Sequence, residues 1–243
     1  MIDESQLVPY HCSALPHPAG PWLVFAPHAD DESFGMGGTL ALACAAGLIV
    51  HLVVITDGAL GGELVDLVSI REQEAREAAA LLGVSSVMFL KQQDRGLQVS
   101  QQLVSEVAHI VAVTKSAAVF FPGIHEAHPD HRASTLLVWQ ALKTLGDSQV
   151  VAVSYEITGQ STINCLVDIS AVIEKKKQTI AVYKSQLGQK NYLEIVLALN
   201  RLRTFTLSAE VQWAEGFYIF TAAELTGSLL EWGQERLRHQ LMA

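Results

Sequence analysis

The chain has 243 residues, half of them hydrophobic, with 16 Lys and Arg against 25 Asp and Glu and a formal charge of −9. Chains of this size bury roughly three quarters of the surface they expose unfolded, which excludes disorder and leads us to expect one globular domain. The acidic balance excludes an electrostatic grip on nucleic acid or on an anionic membrane, because both need clustered Lys and Arg.

Met1-Ile-Asp-Glu-Ser5 has neither a basic n-region nor an apolar h-region, so no secretory signal is expected there. After an irregular start with Pro9, Pro16, Pro18 and Pro21, the short apolar run 22–26 reads as a strand covered on both faces. It breaks into Pro27-His-Ala-Asp-Asp-Glu32, and a helix over 38–46 follows, closed by Gly47. A strand over 49–55, an amphipathic helix over 68–82 stopped by Gly83, and a strand over 87–90 come next. Then come a helix over 103–113, a strand over 117–121, a helix over 132–145 and a strand over 150–155. This alternation with short connections predicts an α/β fold: a Rossmann-like open, mostly parallel sheet with helices on both faces, in three α/β/α layers. From Thr158 the period changes to a strand at 166–169, helical segments through 171–202, a strand at 217–220 and a terminal helix. These are expected to add edge strands and walls to the same unit, so residues 1–243 read as a single domain with its core at about 22–155.

The uncharged stretch 33–56 is long enough to span a bilayer, but Gly35, Gly37, Gly38 and Gly47 divide it into a helix and a buried strand, so no integral membrane segment is expected. Cys12, Cys44 and Cys165 are odd in number and far apart, which argues against a disulfide framework and against a structural zinc knuckle, and for a cytoplasmic location. Lys175, Lys176 and Lys177 behind Glu174 read as a solvated helix face.

In open parallel sheets ligands bind at the carboxyl ends of strands. Two such places are rich in ligating side chains: His28-Ala-Asp-Asp-Glu32 and His125-Glu-Ala-His-Pro-Asp-His131. His28 and Asp31 stand three apart on a turn entering a helix, and His131 comes from a strand ending at the same crevice, so two imidazoles and a carboxylate can hold a divalent cation with a position left open. Beside it Asp30 is placed to take a proton from water, and His128 to stabilise an oxyanion or protonate a leaving nitrogen. Asp130 can orient one of the imidazoles. Taken singly, a post-strand Asp is commonly a helix cap and a lone His commonly structural, which is the reading kept for His11, His17, His51, His109 and His239. Two dense clusters at two strand ends favour a metal site.

Ala26-Pro-His-Ala-Asp-Asp-Glu32 with Gly35-Met-Gly-Gly38, and His128-Pro-Asp-His-Arg-Ala133, resemble the two signatures of the PIG-L/LmbE deacetylases. Thr56-Asp-Gly58, Arg71 with Glu74, Tyr183-Lys-Ser-Gln186 and Ala214-Glu-Gly-Phe217 fall in the same order, so the resemblance runs over about 22–217. It implies a zinc-dependent hydrolase that removes an acetyl group from an N-acetylglucosamine-like sugar of a small conjugate. It also implies His28, Asp31 and His131 as metal ligands, Asp30 as base and His128 as transition-state partner. Arg71 and Asp94 resemble sugar-contacting positions, against the plainer readings of a helix-surface charge and a loop cap. Ala29 stands where the family commonly has Pro, and Glu32 has no task beyond compensating a helix dipole. Relatives include homo-oligomers, though no stripe in this sequence marks an interface.

Three other readings stay open at this point. The same motifs suit a relative that cleaves a non-sugar or thiol-conjugate amide, or one that binds metal without catalysis, and two His with a carboxylate also suit iron(II). Gly35-Met-Gly-Gly38 between strand and helix also suggests a nucleotide-binding turn, but its spacing is not Gly-x-Gly-x-x-Gly and the acidic cluster before it would repel a phosphate.

Overall fold

The computed structural model of the chain describes residues 10–146 and 149–242. Met1–Ser5 and the side chain of His239, both read above from sequence, lie outside the described residues. One eight-stranded sheet organises the molecule: β1 (His11–Ser13), β2 (Trp22–Ala26), β3 (Val50–Thr56), β4 (Ser86–Gln92), β5 (Ala118–Pro122), β6 (Val151–Tyr155), β7 (Cys165–Asp168) and β8 (Ala214–Ile219). Their spatial order is β1-β7-β8-β6-β5-β2-β3-β4. All pairings are parallel except those of β8, which runs antiparallel to both β6 and β7.

The helices are α1 (Asp31–Ala45), α2 (Leu67–Leu82), α3 (Gln101–Thr114), α4 (Pro129–Thr144), α5 (Ile173–Ile180), α6 (Lys184–Leu187), α7 (Tyr192–Leu202), α8 (Ala222–Thr226) and α9 (Leu229–Met242). Every residue of β2 is buried, and the pleat divides them between two cores. Trp22, Val24 and Ala26 join Leu40 of α1, Ala75 and Ala78 of α2 and Ile180 of α5 on one face. Leu23 and Phe25 join Val107 of α3 and Leu137 and Trp139 of α4 on the other. The expected three-layer arrangement follows from this alternation.

The structure departs from the sequence reading in four places. β1, in the stretch read as irregular, pairs with β7 at the sheet edge; three residues with no apolar period carry no strand signal. The strands after residue 158 are not simple edge additions, because β8 is inserted between β6 and β7. Helix α1 begins at Asp31, well ahead of Gly38, but Met36 has non-helical torsions (φ −140°, ψ 21°) that break it into two pieces. Its glycines serve close packing: a Cβ on Gly35 would lie 2.4 Å from Tyr155 Cδ2, and one on Gly38 2.7 Å from Ile169 Cβ. Finally, Lys176, read as part of a solvated face, is fully buried and paired with Glu215, because α5 turns it inward onto α1.

Candidate active site

From β2 the chain proceeds to β3 and β4 on one side, whereas β5 and β6 lie on the other. The ends of β2 and β5 therefore flank the point where strand order reverses, the place at which such sheets form a ligand crevice. His28, Asp30 and Asp31 follow β2; His128, Asp130 and His131 follow β5; Asp94 follows β4. All seven, with Arg71 of α2, are gathered in one place, and all but Asp130 line a cleft with about 280 Å³ of free volume.

Asp31 Oδ2 stands 3.1 Å from His28 Nδ1 and 3.2 Å from His131 Nε2. Donor atoms at about 2.0–2.1 Å from a tetrahedral zinc ion are roughly 3.3 Å apart, close to both of these separations. Among the described residues, two groupings have all their donor atoms close enough together to hold a metal: His28, His128 and His131, and His28, Asp94 and Asp130. The three imidazoles form a triangle with ring centres 4.7, 5.4 and 5.1 Å apart.

The electrostatics draw in positive charge. Burial alone would lower His28 and His131, but Asp130, Asp31 and Asp94 around the first raise it well above the usual imidazole value. Asp31 and Glu126 raise the second to about 9. Burial would raise Asp31, yet His131 and His28 hold it far below the carboxylate range. A dication taking the place of such imidazole protons is the ordinary coupling of metal binding to proton release. Asp30 goes the opposite way: burial lifts it to about 7 against the pull of Arg71, with Asp31 adding to the rise.

The surrounding contacts give each side chain one orientation. His28 Nε2 lies 3.3 Å from both Asp94 Oδ1 and Asp130 Oδ2, so Nδ1 is the nitrogen directed at Asp31. Asp130 is itself held by the backbone N–H groups of Arg95 (2.7 Å) and Leu97 (3.3 Å), and Asp94 by that of Leu60 (2.9 Å). Asp94 thus meets His28, a contact the sequence did not indicate. Arg71 is buried, not a surface charge: its Nη2 donates to Ala29 O at 2.9 Å and lies 3.4 Å from Asp30 Oδ2. His128 is the N-cap of α4, and its Nδ1 accepts from Asp130 N–H at 3.2 Å. A neutral His128 therefore carries its proton on Nε2. Burial, His28 and His131 all lower its affinity for a second proton.

Sequence reasoning missed two residues. Glu126 accepts from Ile157 N–H at 2.8 Å and holds His131 Nδ1 at 3.3 Å, a carboxylate–histidine arrangement that fixes the imidazole's tautomer. Its position five residues before His131, within the His/Asp cluster, was the available signal. Glu32, assigned only a helix-dipole role, is fully buried and accepts from Asp30 N–H at 3.3 Å, Ser33 Oγ at 2.6 Å and the Tyr183 hydroxyl. It ties down Asp30, whose φ of 137° is one that side chains rarely adopt. His125 faces away, stacked on Trp232 with Nε2 3.1 Å from Gly233 O.

A strand-end crevice of imidazoles and carboxylates on a three-layer α/β/α sheet defines a hydrolase-type centre. Residues 23–142 match the family described as PIG-L, GlcNAc-PI de-N-acetylase. It is similar to the diacetylchitobiose deacetylase of Thermococcus kodakarensis, 28% identical over 189 residues, 69% of this chain and 70% of that one. It is also similar to a probable N-acetyl-alpha-D-glucosaminyl L-malate deacetylase 2 of Bacillus anthracis, 24% identical over 79% of this chain and 91% of that one. Among solved structures, the N,N'-diacetylchitobiose deacetylase of Pyrococcus horikoshii superposes with a TM-score of 0.74 and 27% identity, covering 82% of this chain and 83% of that one. The family model and these relatives agree in being named as deacetylases. Among the described residues no helix is long and apolar enough to cross a membrane.

Proposed function

We propose that the protein is a zinc-dependent N-deacetylase acting in the cytoplasm on an N-acetylglucosamine-like sugar carried by a small conjugate. The observation that carries this reading is the single carboxylate oxygen of Asp31 between His28 Nδ1 and His131 Nε2 at the floor of a cleft, with Asp30 beside it. His28, Asp31 and His131 would hold the ion. Bound there, zinc supplies a Lewis acid that polarises a carbonyl and brings the pKa of water toward about 7.

The remaining chemistry belongs to the chain's own side chains. Asp30 takes a proton from the attacking water as its oxygen bonds to the acetamide carbon. His128 donates from Nε2 to the carbonyl oxygen as that atom becomes an oxyanion, a role suited to an imidazole whose Nδ1 is occupied as a helix cap. The C–N bond then breaks as the nitrogen takes up the proton held by Asp30, and the acetic acid so formed gives its remaining proton to the amine, leaving acetate and an ammonium group. Asp130, fixed by two backbone amides, orients His28, and Glu126 orients His131. Arg71 and Asp94 face the cleft and are assigned to the sugar as well as to their partners Asp30 and His28. The names of the relatives, one a chitobiose and one a malate conjugate deacetylase, support a common N-acetylglucosamine end with a variable second group.

Elemental analysis of the purified protein, paired with acetate release from N-acetylglucosamine conjugates before and after chelation, tests the reading. Stoichiometric zinc with chelator-sensitive acetate release is the expected result. Zinc without acetate release from any conjugate would overturn the substrate, and absence of bound metal would overturn the mechanism.

A further inference from the structure

Lys176 of α5 and Glu215 of β8 are both fully buried, lie on elements outside the cleft and have no part in the chemistry above. Their bonds all end on one feature, the break in α1. In an unbroken helix Gly38 N–H would donate to Phe34 C=O, and Thr39 N–H to Gly35 C=O. Here Phe34 C=O accepts from Lys176 Nζ at 2.8 Å, Lys176 Nζ donates to Glu215 Oε1 at 2.6 Å, and Glu215 Oε1 accepts from Gly38 N–H at 2.9 Å. Glu215 Oε2 accepts from Thr39 N–H at 2.7 Å. The ion pair occupies the place of one backbone hydrogen bond, and the carboxylate caps the second piece of the helix as a side-chain N-cap would.

The first piece is the one that matters for the site. It carries Asp31 and Glu32, and its N-cap is Asp30. Its direction relative to the sheet is set by the break at Met36, and of the groups freed by that break Phe34 C=O, Gly38 N–H and Thr39 N–H are satisfied by Lys176 and Glu215. Buried ion pairs contribute little net stability and are often replaceable by apolar residues, so this one is poorly accounted for by stability alone.

We infer that Lys176 and Glu215 are positioning residues that hold α1 in its broken form, and thereby set where Asp31 and Asp30 stand in the cleft. The catalytic consequence rests on the deacetylase reading; the consequences for helix shape and metal affinity do not.

The test is the double variant Lys176→Met/Glu215→Leu, which removes both charges together and frees Phe34 C=O to accept from Gly38 N–H and Thr39 N–H to donate to Gly35 C=O. Crystallography of residues 31–45, zinc affinity by competition with a chromophoric chelator, and kcat and KM on N,N'-diacetylchitobiose are measured on variant and wild type. The expected result is a folded protein with a continuous α1 and zinc bound at least about tenfold more weakly. With a displacement of about 1 Å at the base, kcat should fall on the order of 100-fold, with little change in KM. A folded variant that keeps the break at Met36, or that binds zinc and turns over as the wild type does, overturns the inference. Should the double variant not fold, Glu215→Gln retains the shape and the acceptor for Gly38 but loses the charge and one acceptor. It is expected to fold with several-fold weaker zinc binding, and unchanged binding overturns the inference. A wild type that binds zinc but releases no acetate refutes the deacetylase reading and leaves the helix and zinc measurements to decide the role of the pair.

Discussion

Replacing Glu126 by Gln perturbs the site through a single proton. Glu126 Oε1 accepts from Ile157 N–H at 2.8 Å, and Oε2 accepts from Thr158 N–H at 3.1 Å while facing His131 Nδ1 at 3.3 Å. A glutamine keeps one oxygen, which the fixed donor on Ile157 claims. Its NH2 then faces His131 Nδ1, while Thr158 N–H, 3.3 Å from Oε1, keeps an acceptor in the retained oxygen. An NH2 opposite Nδ1 requires Nδ1 to be the acceptor, so the imidazole proton moves to Nε2, the atom that faces Asp31. Loss of such a supporting carboxylate costs about 10–100-fold in metal affinity. At zinc equal to 100 times the wild-type Kd, the wild type gains about 2.7 kcal/mol of stability, whereas the variant at the same concentration gains about 0.4–1.4 kcal/mol. Thermal unfolding with and without zinc reads this directly, at about 2–4 °C per kcal/mol for a chain of this size. Equal zinc-dependent shifts in the two proteins would refute the assignment of Glu126 to the tautomer of His131.

Asp30→Ala is expected to retain zinc and lose most turnover, as measured by elemental analysis alongside acetate release; undiminished turnover would remove Asp30 as the base. Gly35→Ala places a methyl 2.4 Å from the Tyr155 ring and 2.6 Å from Glu156 O, so it should destabilise by about 1–3 kcal/mol or more in denaturant unfolding, and its zinc affinity should fall because α1 must shift. Glu224 of α8, which does not line the cleft, makes a pH-dependent contribution. Burial would raise its carboxyl, but the Tyr218 hydroxyl, Thr221 and Trp232 Nε1–H lower it to about 2. A depressed carboxyl stabilises the fold above its ordinary value and loses that stabilisation as the pH falls through the folded one. The difference in unfolding free energy between wild type and Glu224→Gln should therefore shrink from about pH 4.5 to pH 2, and a difference independent of pH would contradict it.

The parallel sheet was legible because its strands are buried on both faces and so read as continuous apolar runs between helices with clear periodicity. His28, Asp30, Asp31, His128, Asp130 and His131 were legible as a group because each follows a strand end, and adjacent parallel strands bring their ends to one edge. What the sequence concealed has physical causes. The pairing of β8 with both β6 and β7 is a choice of partner, which an apolar run does not encode. The first piece of α1 was hidden by glycines that look like breakers but are there to let the helix approach Tyr155 and Ile169. Arg71 and Lys176 look like solvated charges on helices and are buried because their partners, Asp30 and Glu215, lie far away in sequence.

The strand order also imposes a timetable on the nascent chain. Five adjacent parallel strands, β6-β5-β2-β3-β4, are complete once residue 155 has emerged, and by then the side chains of His28, Asp31 and His131 have all been made. Lys176 and Glu215, which close the break in α1, arrive later, as does β7, the partner with which β1 must pair across some 150 residues of chain. A ribosome-bound intermediate would hold the imidazoles and carboxylates on a sheet while the helix that carries Asp31 still lacks the pair that closes its break. The last strand to be synthesised enters between two older ones, so the interior of the sheet, not its margin, is the final part to be built.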